Sequence, residues 1–324
     1  MTRRPKSRIH EGLTGERTLV GSGYLGDRRL RAEYDAEIAP RTHAAIARVL
    51  GEVGGRLLGV RRVLDLGAGT GAAGAAVLRG LAGAGVREPV ELVSVDRVAA
   101  TAGVIVADLR RDVRPRGVEG RFDLIVAAHL LNELARDKSV VERAALVFAW
   151  ARELLAEGGH VLLVEPALRE TSRDLLSVRD RLIEAGFAVV APCFWQGPCP
   201  ALVRERDWCH DSAAWLPEDA AGKSGRSRVD FSYLVFTRRN RDEPPSTDRR
   251  LFRVVSDEMV EKGRLRLFGC GPAGRHPLVR LDRDRNEDNG EFDSAVRGEV
   301  IVVTNTERAG DGLRITAGSR VERR

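Results

Sequence analysis

Val63-Leu64-Asp65-Leu66-Gly67-Ala68-Gly69-Thr70-Gly71 decides how this chain is read. An apolar run interrupted by an acid leads into three glycines at alternate positions. Such a run reads as a buried parallel strand. The glycines read as a tight turn into a helix, expected over residues 72–81 and rich in alanine. A backbone without side chains lets a ligand approach closely, and a helix N-terminus offers free amide donors. The expected occupant is nucleotide-like.

The glycine order is G-x-G-x-G, not the G-x-G-x-x-G of dinucleotide folds. A second strand-like run, Val90-Glu91-Leu92-Val93-Ser94-Val95-Asp96, ends in an acid placed to hold ribose hydroxyls. The plain alternative is a structural turn, with Asp96 capping a helix. With Asp65 two residues ahead of Gly67, the pattern D-x-G-x-G-x-G resembles the first motif of class I S-adenosylmethionine (SAM) methyltransferases. That resemblance implies an α/β, Rossmann-like sheet. It also implies SAM held by Asp65, Gly67, Ala68, Gly69, Gly71 and Asp96, with Asp108 contacting adenine.

The 324 residues suffice for two domains, and a 43% apolar content is ordinary for a globular protein. No apolar run reaches membrane-spanning length, and the basic start Met1-Thr2-Arg3-Arg4-Pro5-Lys6 has no apolar core behind it. A soluble protein without membrane partners is expected, cytoplasmic in a bacterium or in the mitochondrial matrix of a eukaryote. The net charge of +6 draws polyanions such as RNA. Lysine occurs only at 6, 138, 223 and 262, and coding bias explains that arginine skew as well as phosphate preference does.

Along the chain, residues 1–25 read as a disordered N-terminus and 26–56 as a helical lead-in broken near Pro40. Residues 57–240 read as the methyltransferase-like domain. Its strands fall near 62–66, 90–95, 103–107, 122–127, 160–164 and 187–190, with a last one at 231–236. One helix is expected from 139 to 156, stopped by Gly158-Gly159. Another is expected to begin at Thr171, with Asp174 completing a capping box. Residues 243–247 read as a linker, and 250–320 as a small β-barrel-like domain.

Four cysteines, Cys193, Cys199, Cys209 and Cys270, all lie beyond residue 192. Thiols confined this way in a reducing compartment point to a metal site rather than disulfides. Without paired C-x2-4-C knuckles, all-cysteine ligation suits a [4Fe–4S] cluster better than zinc, with zinc or four inert thiols as alternatives.

The segments Ala191-Pro192-Cys193, Gly197-Pro198-Cys199-Pro200, Asp207-Trp208-Cys209-His210 and Phe231-Ser232-Tyr233-Leu234-Val235 resemble the Rsm22 family. So do His129-Leu130-Leu131-Asn132-Glu133-Leu134, Lys262-Gly263 and Cys270-Gly271-Pro272. The likeness covers roughly residues 24–300 and departs at Phe194-Trp195-Gln196. It implies a SAM fold, a [4Fe–4S] cluster on the four cysteines, and a role in small-subunit rRNA methylation or ribosome assembly.

Methyl transfer needs alignment of donor and acceptor, plus a base if the acceptor is protonated. The position after the fourth strand puts His129, Asn132 and Glu133 nearest the methyl group, though Asn132 and Glu133 read equally well as helix caps. No cysteine stands there for carbon-5 chemistry on cytosine, and no Asn-Pro-Pro-aromatic motif for exocyclic amines. Three functions stand: an rRNA methyltransferase, a non-catalytic assembly factor binding SAM and a cluster, and a small-molecule methyltransferase with a zinc-stapled lid. The protein is expected to be monomeric, with residues 223–228 and the β-rich tail as RNA contacts.

Overall fold

The protein is described by a computed structural model covering residues 7–134, 138–215, 228–238, 248 and 250–324. The linker at 243–247 and most of the basic stretch 223–228 lie outside the described residues.

Three helices precede the first sheet: α1 (Arg8–Thr14), α2 (Arg28–Glu37) and α3 (Ala39–Val53). The disorder expected for residues 1–25 is corrected for 7–25. Ser7 caps α1 through the His10 amide, and Ile9, Tyr24, Leu25 and Leu30 share a small core. Pro40 falls in the first turn of α3, where its missing N–H costs nothing.

The first sheet contains β1 (Arg62–Leu66), β2 (Glu91–Asp96), β3 (Ile105–Val106), β4 (Phe122–Ala128), β5 (Leu155–Pro166), β6 (Phe187–Ala191), β7 (Asp211–Ala214) and β8 (Arg228–Arg238). Its order is β3-β2-β1-β4-β5-β8-β6, with β7 paired to β8. The first five strands run parallel, and β8 runs antiparallel to both β5 and β6. The apolar runs of β1, β4 and β5 are buried on both faces, as a parallel sheet demands. On one face lie α3 and α4 (Ala72–Ala84); on the other lie α6 (Val140–Leu154) and α7 (Arg169–Glu184), around buried Trp150. The short α5 (Leu131–Leu134) follows β4.

Two boundaries differ from expectation. Helix α6, capped by a Ser139/Glu142 box, passes directly into β5 at Leu155, so Gly158-Gly159 does not stop it. A Cβ on Gly159 would lie 3.0 Å from the Asp123 carbonyl oxygen, so close strand packing requires the glycine there. Helix α7 starts at Arg169, not at Thr171. The Thr171 hydroxyl donates to the Pro166 carbonyl at 2.5 Å, and Asp174 pairs with Arg143 of α6 instead of capping.

The second sheet holds β9 (Leu251–Val254), β10 (Met259–Glu261), β11 (Arg264–Gly271), β12 (Gly274–Leu281), β13 (Val300–Thr304), β14 (Glu307–Ala309), β15 (Gly312–Ile315) and β16 (Arg320–Arg323). Its path runs β14-β15-β12-β11-β9-β13-β16, with β10 on β11. Among the described residues no pairing joins β14 to β16, so of the barrel or sheet that alternating short strands allow, the path is that of an open sheet. Alternating burial along β11 puts Leu265 and Leu267 into a core with Phe252, Phe292 and Ile301.

A polar knot joins this sheet to the first. Arg253, 4% exposed, donates to the Pro192 carbonyl at 2.6 Å, the Gly298 carbonyl at 2.6 Å and the Glu52 carboxylate at 3.1 Å. The Tyr233 hydroxyl donates to Glu52 at 3.1 Å, and Arg48 reaches the Gly298 carbonyl at 2.7 Å.

Candidate functional site

Gly67, Gly69 and Gly71 take φ of 72°, 53° and 85°. Side chains are strained in that region, which is why the motif needs glycine at alternate positions. The Gly69 amide donates to Asp96 Oδ2 at 2.9 Å, and the Val98 amide to Asp96 Oδ1 at 2.8 Å. The acid at the end of β2 therefore fixes the bend from which α4 begins.

A cleft open to solvent lies above this bend. Gly67, Gly69, Asp96, Asp108, His129 and Glu133 line it. Three expected site residues stand behind it. Asp65 is fully buried and accepts from the Gly74 amide at 2.9 Å, anchoring the first turn of α4; its Oδ1 has no hydrogen-bond partner. Ala68 and Gly71 shape the bend without lining the cleft. Asp108 does line it, and its hydrogen bond with Arg110 holds its carboxyl below the usual range.

Of the residues after β4, His129 and Glu133 face the cleft and Asn132 does not. Asn132 donates to the His129 carbonyl at 2.9 Å and to Glu165 Oε2 at 2.8 Å, and accepts from Arg17 at 3.3 Å. This role is structural. His129 has φ of 58°, and its Nε2 lies 3.2 Å from the Thr42 hydroxyl while Nδ1 is unpartnered. Burial holds its imidazole down to about 4, so it is neutral near pH 7.

The cleft also has a roof that the sequence reading missed. Gly21, Gly23, Tyr24, Leu25 and Tyr34 cover it from the N-terminal segment. The Tyr24 hydroxyl donates to Glu133 Oε1 at 3.2 Å, and Arg17 pins the segment to Glu170 of α7 at 3.1 Å. Two glycines just ahead of an aromatic, Gly21-x-Gly23-Tyr24, were the available signal.

Burial pushes Asp65, Glu133 and Glu165 each up to about 7. Such groups bind more protons folded than unfolded, so their contribution to stability falls as pH rises through about 7. His129 and His210, held down to about 4 by burial, work in the opposite sense, but only between about pH 4 and 6.5. Between pH 6.5 and 8 the ligand-free protein should therefore lose several degrees of thermal midpoint. A flat or rising midpoint across that window contradicts the assignment.

The second candidate site is the thiol pocket. Cys193, Cys199, Cys209 and Cys270 line one apolar cavity with Leu176 and Trp208. Cys270 comes from β11, opposite Arg253 on β9 and Arg275 on β12, so the two sheets meet at the sulfurs. Burial and the neighbouring thiols push Cys199 up to about 12 and Cys209 up to about 11, and raise Cys270 well above the usual thiol range. Burial opposes the Arg179 charge, but Cys193, Cys199 and Asp180 outweigh it and keep the guanidinium protonated. Arg179 also donates to the Gly197 carbonyl at 2.8 Å, fixing the loop that carries Cys193 and Cys199. The donor set fits a thiophilic guest: four sulfurs on one apolar cavity, with fixed positive charge to balance thiolates. Among the described residues, no three His, Cys, Asp or Glu side chains form a group already able to hold a metal ion.

A parallel β3-β2-β1-β4-β5 sheet, completed by an antiparallel β8 and cleft at a glycine bend after β1, defines a Rossmann-like, methyltransferase-type protein. Residues 30–280 match the family model described as "Mitochondrial small ribosomal subunit Rsm22". The chain belongs to the Rsm22 family. Comparison with the curated proteins finds no match.

Similar solved structures are all distant. One is the magnesium protoporphyrin IX methyltransferase of Synechocystis PCC 6803 with bound SAM (12% identity, 73% of this chain and 100% of that chain, TM-score 0.38). Another is a SAM-dependent methyltransferase of Clostridium acetobutylicum ATCC 824 (9% identity, 65% and 98%, TM-score 0.39). A third is the plantazolicin methyltransferase BpumL in complex with SAH (11% identity, 72% and 100%, TM-score 0.42). Likeness at this distance bears on neither substrate nor chemistry. Among the described residues no helix is long and apolar enough to cross a membrane.

Proposed function

We propose that this Rsm22 protein binds SAM over the glycine bend, carries a [4Fe–4S] cluster on Cys193, Cys199, Cys209 and Cys270, and acts on the RNA of the small ribosomal subunit. The observation that carries the first part is the cleft itself, which opens above the glycine bend where Asp96 holds the Gly69 amide. When bound, SAM supplies an electrophilic methyl group. Gly67 and Gly69 admit the ligand to the backbone, and Asp96 stands where ribose hydroxyls are held. Asp108, on the cleft wall, would contact the adenine, and Tyr24, Leu25 and Tyr34, which also line the cleft, would shield the ligand from water. His129 and Glu133 are the groups on the cleft wall available to take a proton from an acceptor, and Glu133, raised to about 7 by burial, is the better matched to neutral pH.

The convergence of four thiols beside Arg179 supports the cluster. When bound, it joins the cysteine-bearing loop to β11 and adds its binding energy to the docking of the second sheet. Anaerobic preparations should be brown and hold about four irons per chain, the content of one [4Fe–4S] cluster. Stoichiometric zinc without iron overturns that assignment.

One observation favours a second reading, a non-catalytic assembly factor: Asn132, expected to orient the acceptor, is committed to Glu165 and the His129 carbonyl. Modification mapping of small-subunit rRNA in a deletion strain separates the two. A lost methyl group supports catalysis. An unchanged map with depleted small subunits supports assembly alone. Normal subunits with a normal map overturn both.

A further inference from the structure

The cleft is acidic beyond what its hydrogen bonds require. Glu133 and Asp96 both line it, with the Tyr24 hydroxyl bonded to the first and within electrostatic reach of the second. Both oxygens of Asp96 are taken by the Gly69 and Val98 amides. Glu133 accepts from Tyr24 and from the Gly21 amide, neither of which brings a full positive charge. Glu165 of β5 also feels Glu133, and accepts only from the Leu131 amide and Asn132. Tyr34 of α2 also faces Glu133, as a phenol that burial keeps protonated and uncharged. Among the described residues, Arg97 is the cation that lowers Glu133, while Arg110 on the same rim is engaged by Asp108 at 3.1 Å. A half-closed cavity with this surplus of carboxyls favours a cationic guest.

We infer that Glu133 makes the cleft prefer the positively charged methyl donor over its neutral product, by facing the sulfonium. This rests on the SAM reading above. SAM and S-adenosylhomocysteine (SAH) share the adenosine, the α-ammonium and the carboxylate. They differ at one sulfur, a sulfonium in the donor and a thioether in the product. A carboxylate that held the ammonium would favour both ligands equally; one facing the sulfur favours only the donor. Such a preference expels product after transfer and keeps the site loaded where both are present. Because burial pushes the Glu133 carboxyl up to about 7, a cation arriving beside it also displaces a proton near neutrality.

The test is calorimetric titration of the full chain and of its Glu133→Gln variant with SAM and with SAH at pH 7.5. The substitution should weaken SAM roughly tenfold, the effect of one partly screened charge pair. SAH affinity should stay within about twofold, which also shows that the variant is folded. Titrations of the wild type at pH 6.5 in buffers of different ionisation enthalpy should show proton release with SAM and none with SAH. Equal weakening of both ligands, or of neither, overturns the inference. A wild-type chain that binds neither ligand overturns the SAM reading instead.

Discussion

Cys199→Ser empties the thiol pocket: iron and labile sulfide should fall to near background, and the thermal midpoint should drop by roughly 10 °C or more. Cys199 is the most enclosed of the four thiols, and its amide donates to Asp180 at 2.9 Å, so the loop cannot shift another donor into its place cheaply. Serine supplies a hydroxyl that stays protonated where a thiolate is required, and a cluster held at three corners is labile. The loss should extend to the second sheet, because Cys270 reaches the pocket from β11. Full metal content in the variant would show that Cys199 is not a ligand.

Arg253→Met, on the wall of the thiol pocket, should be the costliest change outside the four cysteines. The guanidinium ties Glu52 of α3, the Pro192 carbonyl ahead of Cys193 and the Gly298 carbonyl of the second sheet into one knot. Its removal takes the Arg253 donor from the Pro192 carbonyl and leaves Glu52 to Tyr233 and Arg48, and the Gly298 carbonyl to Arg48. Breaking a buried pair from one side costs about 3–5 kcal/mol. Glu52 retains some solvent access at 21% side-chain exposure, which places the cost near the lower end, a midpoint loss of roughly 6–12 °C. Adding Glu52→Leu should cost less than the sum of the two single changes, since no buried charge is then stranded. Strict additivity in denaturant melts would mean that the ion pair contributes no coupling.

Much of the architecture was readable because local chemistry and tertiary structure agree. The glycine bend needs positive φ at three alternate positions, and the pattern announces it. The strands of the first sheet are buried on both faces and stand out as apolar runs. The N-terminal roof was not readable, because α1 has only seven residues and gains its stability from packing Ile9 against Tyr24 and Leu30. Sequence alone sees there a polar, glycine-containing stretch. Asn132 and Glu133 were taken together as cleft residues because they are adjacent. On α5, adjacent side chains point about 100° apart, so one turns inward to Glu165 and the other to the cleft. Asp65 was placed at the ligand by its nearness to the glycines, yet an inward-facing strand position puts it beneath them, holding Gly74. The convergence of cysteines sixty residues apart was expected from the confinement of the thiols beyond residue 192 and from the family resemblance, whereas Arg179 beside them carried no local signature.

The claim on which the account depends most is that the cleft over Gly67 and Gly69 is a methyl-donor site. A crystal of the full chain soaked with SAM tests it most directly. The account predicts density for one SAM molecule, with its ribose at Asp96, its adenine beside Asp108 and its sulfur facing Glu133. A cleft that stays closed under Tyr24 and Leu25 at saturating SAM, or a ligand seated elsewhere on the chain, would contradict it.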